Sequence, residues 1–200
     1  MMKKVVAIMG SYRKNGVIDS IVVSMLETLK KEGVEVIKHD LLDKKIEFCT
    51  NCRQCTQAEG TDRGKCIHND DFNGMMVDID SADGLILAAP TNFFTINALT
   101  KRFIERLVCF AYWPFKQLGP KMRIKHRSKK AIIVSSSAMP GLLGRIFTSS
   151  LKILKVAAQT LGAKVVGTLY VGSAISAQDG KSQITAATFK KASKLAEKLL

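Results

Sequence analysis

The chain has 200 residues, of which 46% are hydrophobic and 24% charged, and its formal net charge is +14. These values fit a globular α/β domain and exclude the low hydrophobicity of a disordered chain. No apolar run reaches the roughly 18 residues that span a bilayer, and no signal-peptide pattern is present. The sequence therefore predicts a cytoplasmic protein with no membrane partner.

The excess positive charge lies in the second part of the chain. Residues 1–115 carry 15 basic and 15 acidic side chains, whereas residues 116–200 carry 16 basic and 2 acidic ones. Such an excess attracts anionic partners, among which phosphate-bearing nucleotide cofactors are the favoured class. Nucleic acid is unlikely because no motif for it is present and few aromatic residues are interleaved with the basic ones. The basic run over 116–130 is interpreted as a solvated connection.

Predicted strands and helices alternate along the chain. In chain order, the hydrophobic periodicity predicts strands at 5–9, 34–37, 85–89, 131–134 and 165–171, and helices at 16–32, from 70 onward, and at 96–110, 147–161 and 184–200. This alternation implies a parallel sheet of five strands with helices on both faces. We expect a single domain over residues 1–200, interrupted by a long polar loop at about 43–70.

Three short polar loops, at 10–16, 90–95 and 135–141, each follow a predicted strand. The carboxyl ends of parallel strands meet at one edge of a sheet, so these loops are expected to form one ligand crevice. The first loop leads into a helix N-terminus, which favours anions, and it supplies donors from Ser11, Arg13 and Asn15. It lacks both the triphosphate-binding and the G-x-G-x-x-G patterns.

The long polar loop contains four cysteines. Cys49, Cys52 and Cys55 follow a C-x-x-C-x-x-C spacing, and Cys66 comes after ten further residues. This pattern suits an iron–sulfur cluster or a zinc ion, and free or redox-active thiols are the third interpretation. A ten-residue gap can still close, because loop-closure entropy grows slowly with length. Cys109 is interpreted as a packed apolar residue.

Histidines and a group of aromatic residues complete the candidate features. His39, His68 and His126 have no metal-binding spacing and are interpreted as surface or loop side chains, and His68, which lies close to Cys66, is the one candidate ligand among them. The aromatic segment 112–115 is interpreted either as packing or as part of a dimer interface.

Together these motifs resemble the NADPH-dependent FMN reductase family, including its iron–sulfur flavoprotein branch. The resemblance extends over residues 3 to about 172 and is carried by Gly10-Ser11-x-Arg13-Lys14-Asn15-Gly16, Cys49-x-x-Cys52-x-x-Cys55 with Cys66 and Asp70-Asp71, Ala82-Asp83-Gly84, Pro90-Thr91-Asn92-Phe93, the segment 101–106 and Ser135-Ser136-Ser137-Ala138. It implies a flavodoxin-like, doubly wound sheet with strand order 2-1-3-4-5 and non-covalently bound FMN.

The resemblance also implies which residues hold FMN. The phosphate would be held by Ser11, Arg13, Asn15, Gly16, Val17 and Ile18. The ribityl chain and the ring would lie beside Pro90, Thr91, Asn92 and Phe93. The pyrimidine edge of the ring would contact Ser135, Ser136, Ser137, Ala138 and Met139. Two departures stand out. Val17-Ile18 replaces a polar Asn-Thr pair of many relatives, and Asn92 stands where relatives often have Tyr.

The predicted function is that of an NAD(P)H-dependent FMN oxidoreductase. It would pass electrons from the nicotinamide through FMN to a small acceptor, as a homo-oligomer (dimer or tetramer), without a catalytic side chain. The alternative is an electron carrier with a [4Fe–4S] cluster on Cys49, Cys52, Cys55 and Cys66. A nucleic-acid-binding module is the third class.

Overall fold

A computed structural model describes residues 2–174 and 184–200. The strands, in chain order, are β1 Lys4–Met9, β2 Glu35–Asp40, β3 Gly84–Asn92, β4 Thr95–Ile96, β5 Ala111–Tyr112, β6 Lys121–Met122, β7 Lys129–Ser136 and β8 Ala163–Val171. The α-helices are α1 Val17–Lys31, α2 Asp71–Ser81, α3 Ala98–Arg106, α4 Gly141–Phe147, α5 Ser150–Thr160 and α6 Ala186–Ala196. Short 3₁₀ turns occupy Leu41–Asp43, Gln54–Thr56, Leu107–Phe110 and Glu197–Leu199.

Five parallel strands form the main sheet in the order β2-β1-β3-β7-β8. This confirms the predicted α/β class and the order 2-1-3-4-5. Consecutive residues of the central strands point to opposite faces, as the period of two requires. Val6 and Leu85 thus pack with α2, α3 and α5, whereas Val5 and Ile86 pack with α1 and α6. The central strands are apolar on both sides because helices cover both faces.

Two elements differ from their predicted bounds near the carboxyl edge of the sheet. The predicted loop at 90–95 is a hairpin, because β3 continues to Asn92 and pairs antiparallel with β4. The predicted helix over 147–161 begins only at Ser150, as α5, and a separate helix, α4, covers Gly141–Phe147 before a break at 148–149. The break is fixed by Ser149, whose N–H donates to the carbonyl of Phe94 at 2.9 Å. The hairpin and the helix break therefore support each other.

The basic run at 116–130 is only partly a solvated connection. It contains β6, which pairs with β5, and it contains Arg123, which is buried. The Arg123 guanidinium donates to the carbonyls of Ala111, Gly60, Cys55 and Ala58 at 2.8–3.3 Å. A buried charge is stable only when its donors are satisfied in this way. The interpretation of the run as solvated is wrong for Arg123.

His39 is buried rather than on the surface, so that interpretation is also wrong. Its Nε2 lies 3.0 Å from Oδ2 of Asp78. Burial lowers the pKa of His39 from its ordinary value, although the Asp78 carboxylate acts in the opposite direction. Within the described ranges, none of the helices combines the length and the apolar character needed to cross a membrane.

Candidate functional site

A cavity of about 440 Å³ opens at the carboxyl edge of the parallel sheet. Its walls come from the loop after β1, the end of β3, the segment after β7 and one residue beyond β8: Ser11, Tyr12, Arg13, Gly16, Val17, Ile18, Pro90, Thr91, Asn92, Ser136, Ser137, Ala138 and Ala174. The three loops that the sequence places at one sheet edge therefore enclose one space. Tyr12 and Ala174 were not among the predicted residues.

Four residues predicted to hold FMN do not line this cavity: Asn15, Phe93, Ser135 and Met139. Phe93 lies at the tip of the β3–β4 hairpin with its side chain 96% exposed. Ser135 is fully buried, and its hydroxyl donates to the carbonyl of Ala89 at 2.9 Å. Strand pairing and the hairpin turn thus direct these two side chains away from the cavity. Any contact of the four with FMN stays a prediction.

The N-terminus of α1 faces the cavity without a side-chain cap. Gly16 is the N-cap residue in an extended conformation, and it has no side chain that could cap the first-turn N–H groups. Such N–H groups carry a partial positive charge and suit an anion. The negative charge of Asp19 in the first turn does not cancel this partial positive charge, because Asp19 is already paired. Its carboxylate accepts from Asn15 N–H at 2.7 Å and forms an ion pair with Lys38 at 2.5 Å.

Gly10 connects the first loop to α3 by a close backbone approach. The side chains of Asn97 and Thr100 both donate to the Gly10 carbonyl. A Cβ on Gly10 would lie 1.8 Å from Oγ1 of Thr100, so a larger residue cannot occupy this position unless the Thr100 side chain moves. These contacts with α3 hold the first loop in place. The small residues of the loop do not reveal Asn97 and Thr100 as its partners in the sequence.

The cavity offers hydrogen bonding but little acid–base chemistry. Among the described residues, no Asp, Glu, His, Lys or Cys side chain lines it. The hydroxyl of Ser11 accepts from the backbone N–H of Arg13 at 3.1 Å, and the hydroxyl of Thr91 lies 2.8 Å from that of Ser150. These contacts position the walls, and they fit a site that binds a reactive cofactor rather than one that supplies a side-chain base.

A second cavity, of only about 10 Å³, lies in the cysteine loop. Cys49, Cys52, Cys55 and Cys66 all line it, so the structure brings together the four predicted metal ligands. The ten residues between Cys55 and Cys66 fold back through Gly64, whose N–H donates to the Cys109 carbonyl at 2.8 Å. A Cβ on Gly64 would lie 1.6 Å from the Cys55 carbonyl oxygen, so only glycine fits there.

The thiols of this cavity differ in exposure. Cys52 is exposed and Cys55 buried, while Cys49 and Cys66 are intermediate. Burial, followed by the nearby Cys66, Cys49 and Cys52 thiolates, raises the pKa of Cys55 to about 11. Burial also raises the pKa of Cys109 to about 12, in keeping with its interpretation as a packed residue. Binding of a metal would have to displace the Cys55 proton.

No set of three or more His, Cys, Asp and Glu side chains in residues 2–174 and 184–200 is arranged to hold a metal ion. The structure therefore provides no preformed zinc site at the cysteines. A four-iron cluster is larger than a single ion and separates its cysteine ligands more widely. Because the free space is about 10 Å³, the size of one water molecule, the loop must open to admit a cluster.

Two arginines, Arg53 and Arg106, lie in the wall of the cysteine cavity. Arg106 is 2% exposed and pairs with Asp70 through two hydrogen bonds of 2.6 and 3.2 Å. Arg53 donates to the Trp113 carbonyl at 2.6 Å and stacks over the Trp113 ring at 3.8 Å. Trp113 thus packs against the cysteine loop within one chain. A dimer interface at the aromatic segment stays a prediction.

Comparison with known proteins places these observations in a family. An iron–sulfur flavoprotein of Archaeoglobus fulgidus is 32% identical over 111 residues, which are 56% of this chain and 48% of that protein. One from Methanocaldococcus jannaschii is 32% identical over 103 residues, which are 52% of this chain and 51% of that protein. The chain thus matches about half the length of these curated relatives.

Solved structures share the fold across the whole chain. An NAD(P)H:quinone oxidoreductase from Methanothermobacter marburgensis has a TM-score of 0.71 at 16% identity, with 100% of both chains covered. An azoreductase from Bacillus anthracis has a TM-score of 0.71 at 16% identity, covering 98% of this chain and 100% of that one. At these identities the likeness establishes the fold alone.

The family model of the NADPH-dependent FMN reductases matches residues 3–178. This match spans most of the chain and confirms the resemblance found in the sequence, together with FMN as the predicted cofactor at the level of the family. The chain belongs to the NADPH-dependent FMN reductase family.

Proposed function

We propose that the chain is an FMN-dependent oxidoreductase that takes electrons from NAD(P)H and passes them to a small acceptor. The observation that carries this proposal is the cavity of about 440 Å³ at the carboxyl edge of the sheet, walled by the three predicted loops. Its volume lies in the range of roughly 300–1,000 Å³ that cofactor sites occupy. The cytoplasmic location, the homo-oligomer and the single domain over 1–200 belong to the same proposal.

The residues at the α1 end of the cavity suit the phosphate of FMN. The uncapped first-turn N–H groups of α1 and the side chains of Ser11 and Arg13 supply the donors. Val17 and Ile18 contribute backbone N–H groups only, because their side chains lack the hydroxyl of many relatives. The phosphate is therefore held chiefly by backbone amides, with Ser11 and Arg13 as the side-chain partners.

The remaining walls suit the ribityl chain and the ring. Pro90, Thr91 and Asn92 form one wall at the end of β3, and the segment 136–138 forms the opposite one. When bound, FMN supplies the hydride and electron chemistry. The chain's own residues bind and orient the cofactor and exclude water, in keeping with a lining that contains no carboxylate or imidazole among the described residues.

Replacing Ser11 and Arg13 together with alanine is expected to weaken FMN binding about 30- to 100-fold, because a neutral and a charge-assisted hydrogen bond are lost. The affinity is measured by quenching of FMN fluorescence. The wild-type protein with FMN should absorb at about 450 nm and oxidise NADPH in the steady state.

Lys14→Ala is the matched control for this variant. Lys14 lies in the same loop and carries a positive charge, but it pairs with Asp43 at 2.9 Å and does not line the cavity. Unchanged affinity in the double variant, or an equal loss in Lys14→Ala, would count against the phosphate assignment. A protein that neither binds FMN nor oxidises NADPH would overturn the proposed function.

A second candidate function is that of an iron–sulfur flavoprotein acting as an electron carrier. Four cysteines line one cavity, and the buried Nε atoms of Arg53 and Arg106 in its wall have no hydrogen-bond partner among the residues that the structure describes. Thiolates and sulfides are the acceptors that such donors fit, so the residues present suit a [4Fe–4S] cluster held by Cys49, Cys52, Cys55 and Cys66. The names of the curated relatives agree with this candidate.

Anaerobic purification is expected to yield about four iron and four sulfide ions per chain, the content of one cubane cluster. Cys66→Ala should lose this content, while Cys109→Ala should retain it because Cys109 lies outside the cavity. Wild-type protein containing zinc, or neither iron nor sulfide, would reject the cluster. An iron-loaded protein with bound FMN but without NADPH oxidation would favour the carrier over the reductase.

A further inference from the structure

We propose that Arg106 is a positioning residue of the cysteine site, whose charge raises the reduction potential of a cluster bound there. The inference deepens the second candidate function and rests on it, because it concerns a residue that would act through Cys66. Its basis is the placement of a buried, fixed positive charge beside four thiols.

The position of Arg106 is fixed by its partners on the side away from the thiols. Its side chain is 1% exposed, and its two terminal nitrogens donate to both carboxylate oxygens of Asp70 and to the carbonyl of Glu47. Its guanidinium also lies 4.7 Å from the centre of the Phe72 ring. Asp70 caps α2 and Phe72 lies in its first turn, so these two contacts hold the charge in the cavity wall without relying on the cysteine loop.

The other side of Arg106 faces the cysteines. Arg106 lines the cavity together with Cys66, and its Nε is buried without a hydrogen-bond partner. An arginine guanidinium stays protonated in a folded protein, so Arg106 carries its charge whatever the cysteines bind. The wall of the cavity thus contains the permanent positive charge of Arg106, and the carboxylate of Asp70 compensates this charge.

Two further buried nitrogens share this wall. Nε of Arg53 and Nε2 of His68 are also buried without a partner, and both residues line the same cavity. Buried donors are rarely left unpaired, and a group bound to the four thiols would supply an acceptor for the arginine nitrogens here, although the Nε of Arg102, outside the cavity, is unpaired as well. Hydrogen bonds to cluster sulfurs and nearby positive charge both stabilise the more negative, reduced state.

Asp70 opposes this effect, because it neutralises Arg106 from behind. Removing the Arg106 charge and removing the Asp70 charge should therefore shift the potential in opposite directions. A purely structural role would lead to loss of cluster or of stability in both variants, without potential shifts of opposite sign. This difference in sign makes the inference testable.

The test is a redox titration of the iron-loaded protein, followed by EPR of the reduced cluster. Arg106→Gln is expected to lower the equilibrium constant for one-electron reduction about tenfold, equivalent to 59 mV. Asp70→Asn, which retains an acceptor for the neighbouring N–H groups, is expected to raise the potential, and Arg106→Lys should stay closer to wild type than Arg106→Gln. Arg102→Gln is the control, since Arg102 lies on the same helix but outside the cavity.

The outcomes separate the inference from the function on which it rests. Wild-type protein without iron and sulfide overturns the cluster and the inference with it. A loaded Arg106→Gln variant with the same potential as Arg102→Gln overturns the inference alone. If Arg106→Gln does not fold, Asp70→Asn decides: a raised potential supports the role of Arg106, and an unchanged or lowered potential contradicts it.

Discussion

Replacing Asp70 with alanine is expected to lower the free energy of unfolding by about 4 kcal/mol, because it leaves Arg106 as a buried, uncompensated charge. Asp70 also accepts from the backbone N–H groups of Glu47 at 2.8 Å and Phe72 at 3.2 Å, and it caps α2. One carboxylate thus joins α2, α3 and the cysteine loop. Urea denaturation followed by circular dichroism measures the loss.

Asp71→Ala is the matched control, since Asp71 is exposed and its carboxylate accepts a backbone hydrogen bond from Lys45 N–H at 2.8 Å. Its expected cost is under about 1 kcal/mol. Equal losses in the two variants would show that the Arg106 pair does not contribute more than a surface carboxylate does.

The effect of Asp70 should also depend on pH. Burial acts to raise the pKa of Asp70, but hydrogen bonds from Arg106 and from the Glu47 N–H outweigh it and lower the pKa below the ordinary value. A carboxyl group with a lowered pKa stabilises the fold above the unfolded-state pKa of about 4 and loses this effect as the pH falls through its folded value. The difference between wild type and Asp70→Ala should shrink below about pH 4.

Gly172→Ala is expected to cost about 3 kcal/mol, at the upper end of the range for overpacking. A Cβ at this position would lie 2.0 Å from the backbone N and 2.3 Å from the Cα of Gly141. Both are backbone atoms and cannot rotate away, so the segment after β7 and the segment after β8 must separate. Chemical denaturation measures the loss.

The same substitution should weaken FMN binding by about tenfold or more, because binding sites need their walls held within about 0.5 Å. The two segments are joined by hydrogen bonds from Ser173 N–H to the Met139 carbonyl and from Ala174 N–H to the Ser137 carbonyl, both 2.9 Å. Gly119→Ala is the control, since no heavy atom lies within 4 Å of a Cβ there. FMN affinity that is retained in a destabilised Gly172→Ala protein would show that this wall does not contact the cofactor.

The flavodoxin-like topology and the three-sided cavity could be predicted because they depend on local patterns. An apolar run followed by small polar residues marks the carboxyl end of a parallel strand, and all such ends meet at one edge. Ser11, Pro90 and Ser137 are found together for this reason. The proximity of the four cysteines could likewise be predicted, because all four lie in one polar loop.

Side-chain direction and buried charge could not be read from these patterns. Phe93 lies directly after a strand, where a residue facing the cavity was expected. Its backbone φ of 47° at the tip of the hairpin instead directs the side chain into solvent. Arg106 and Arg123 lie in segments whose basic residues are typical of a solvated surface, and His39 lies in a strand with charged neighbours. Their burial depends on partners far along the chain, which periodicity does not identify.

The contacts of Arg123 have a consequence for the order of events during synthesis. Its guanidinium binds the carbonyls of Cys55, Ala58 and Gly60, which lie 68, 65 and 63 positions earlier in the chain. Contacts of such sequence separation form late in folding, because a long segment of chain must close first. The cysteine loop is therefore expected to take its final shape only after the β5–β6 hairpin has left the ribosome. Iron delivered earlier would meet four cysteines that have not yet been brought together in one cavity, so metal loading is expected to follow folding of this loop rather than to direct it.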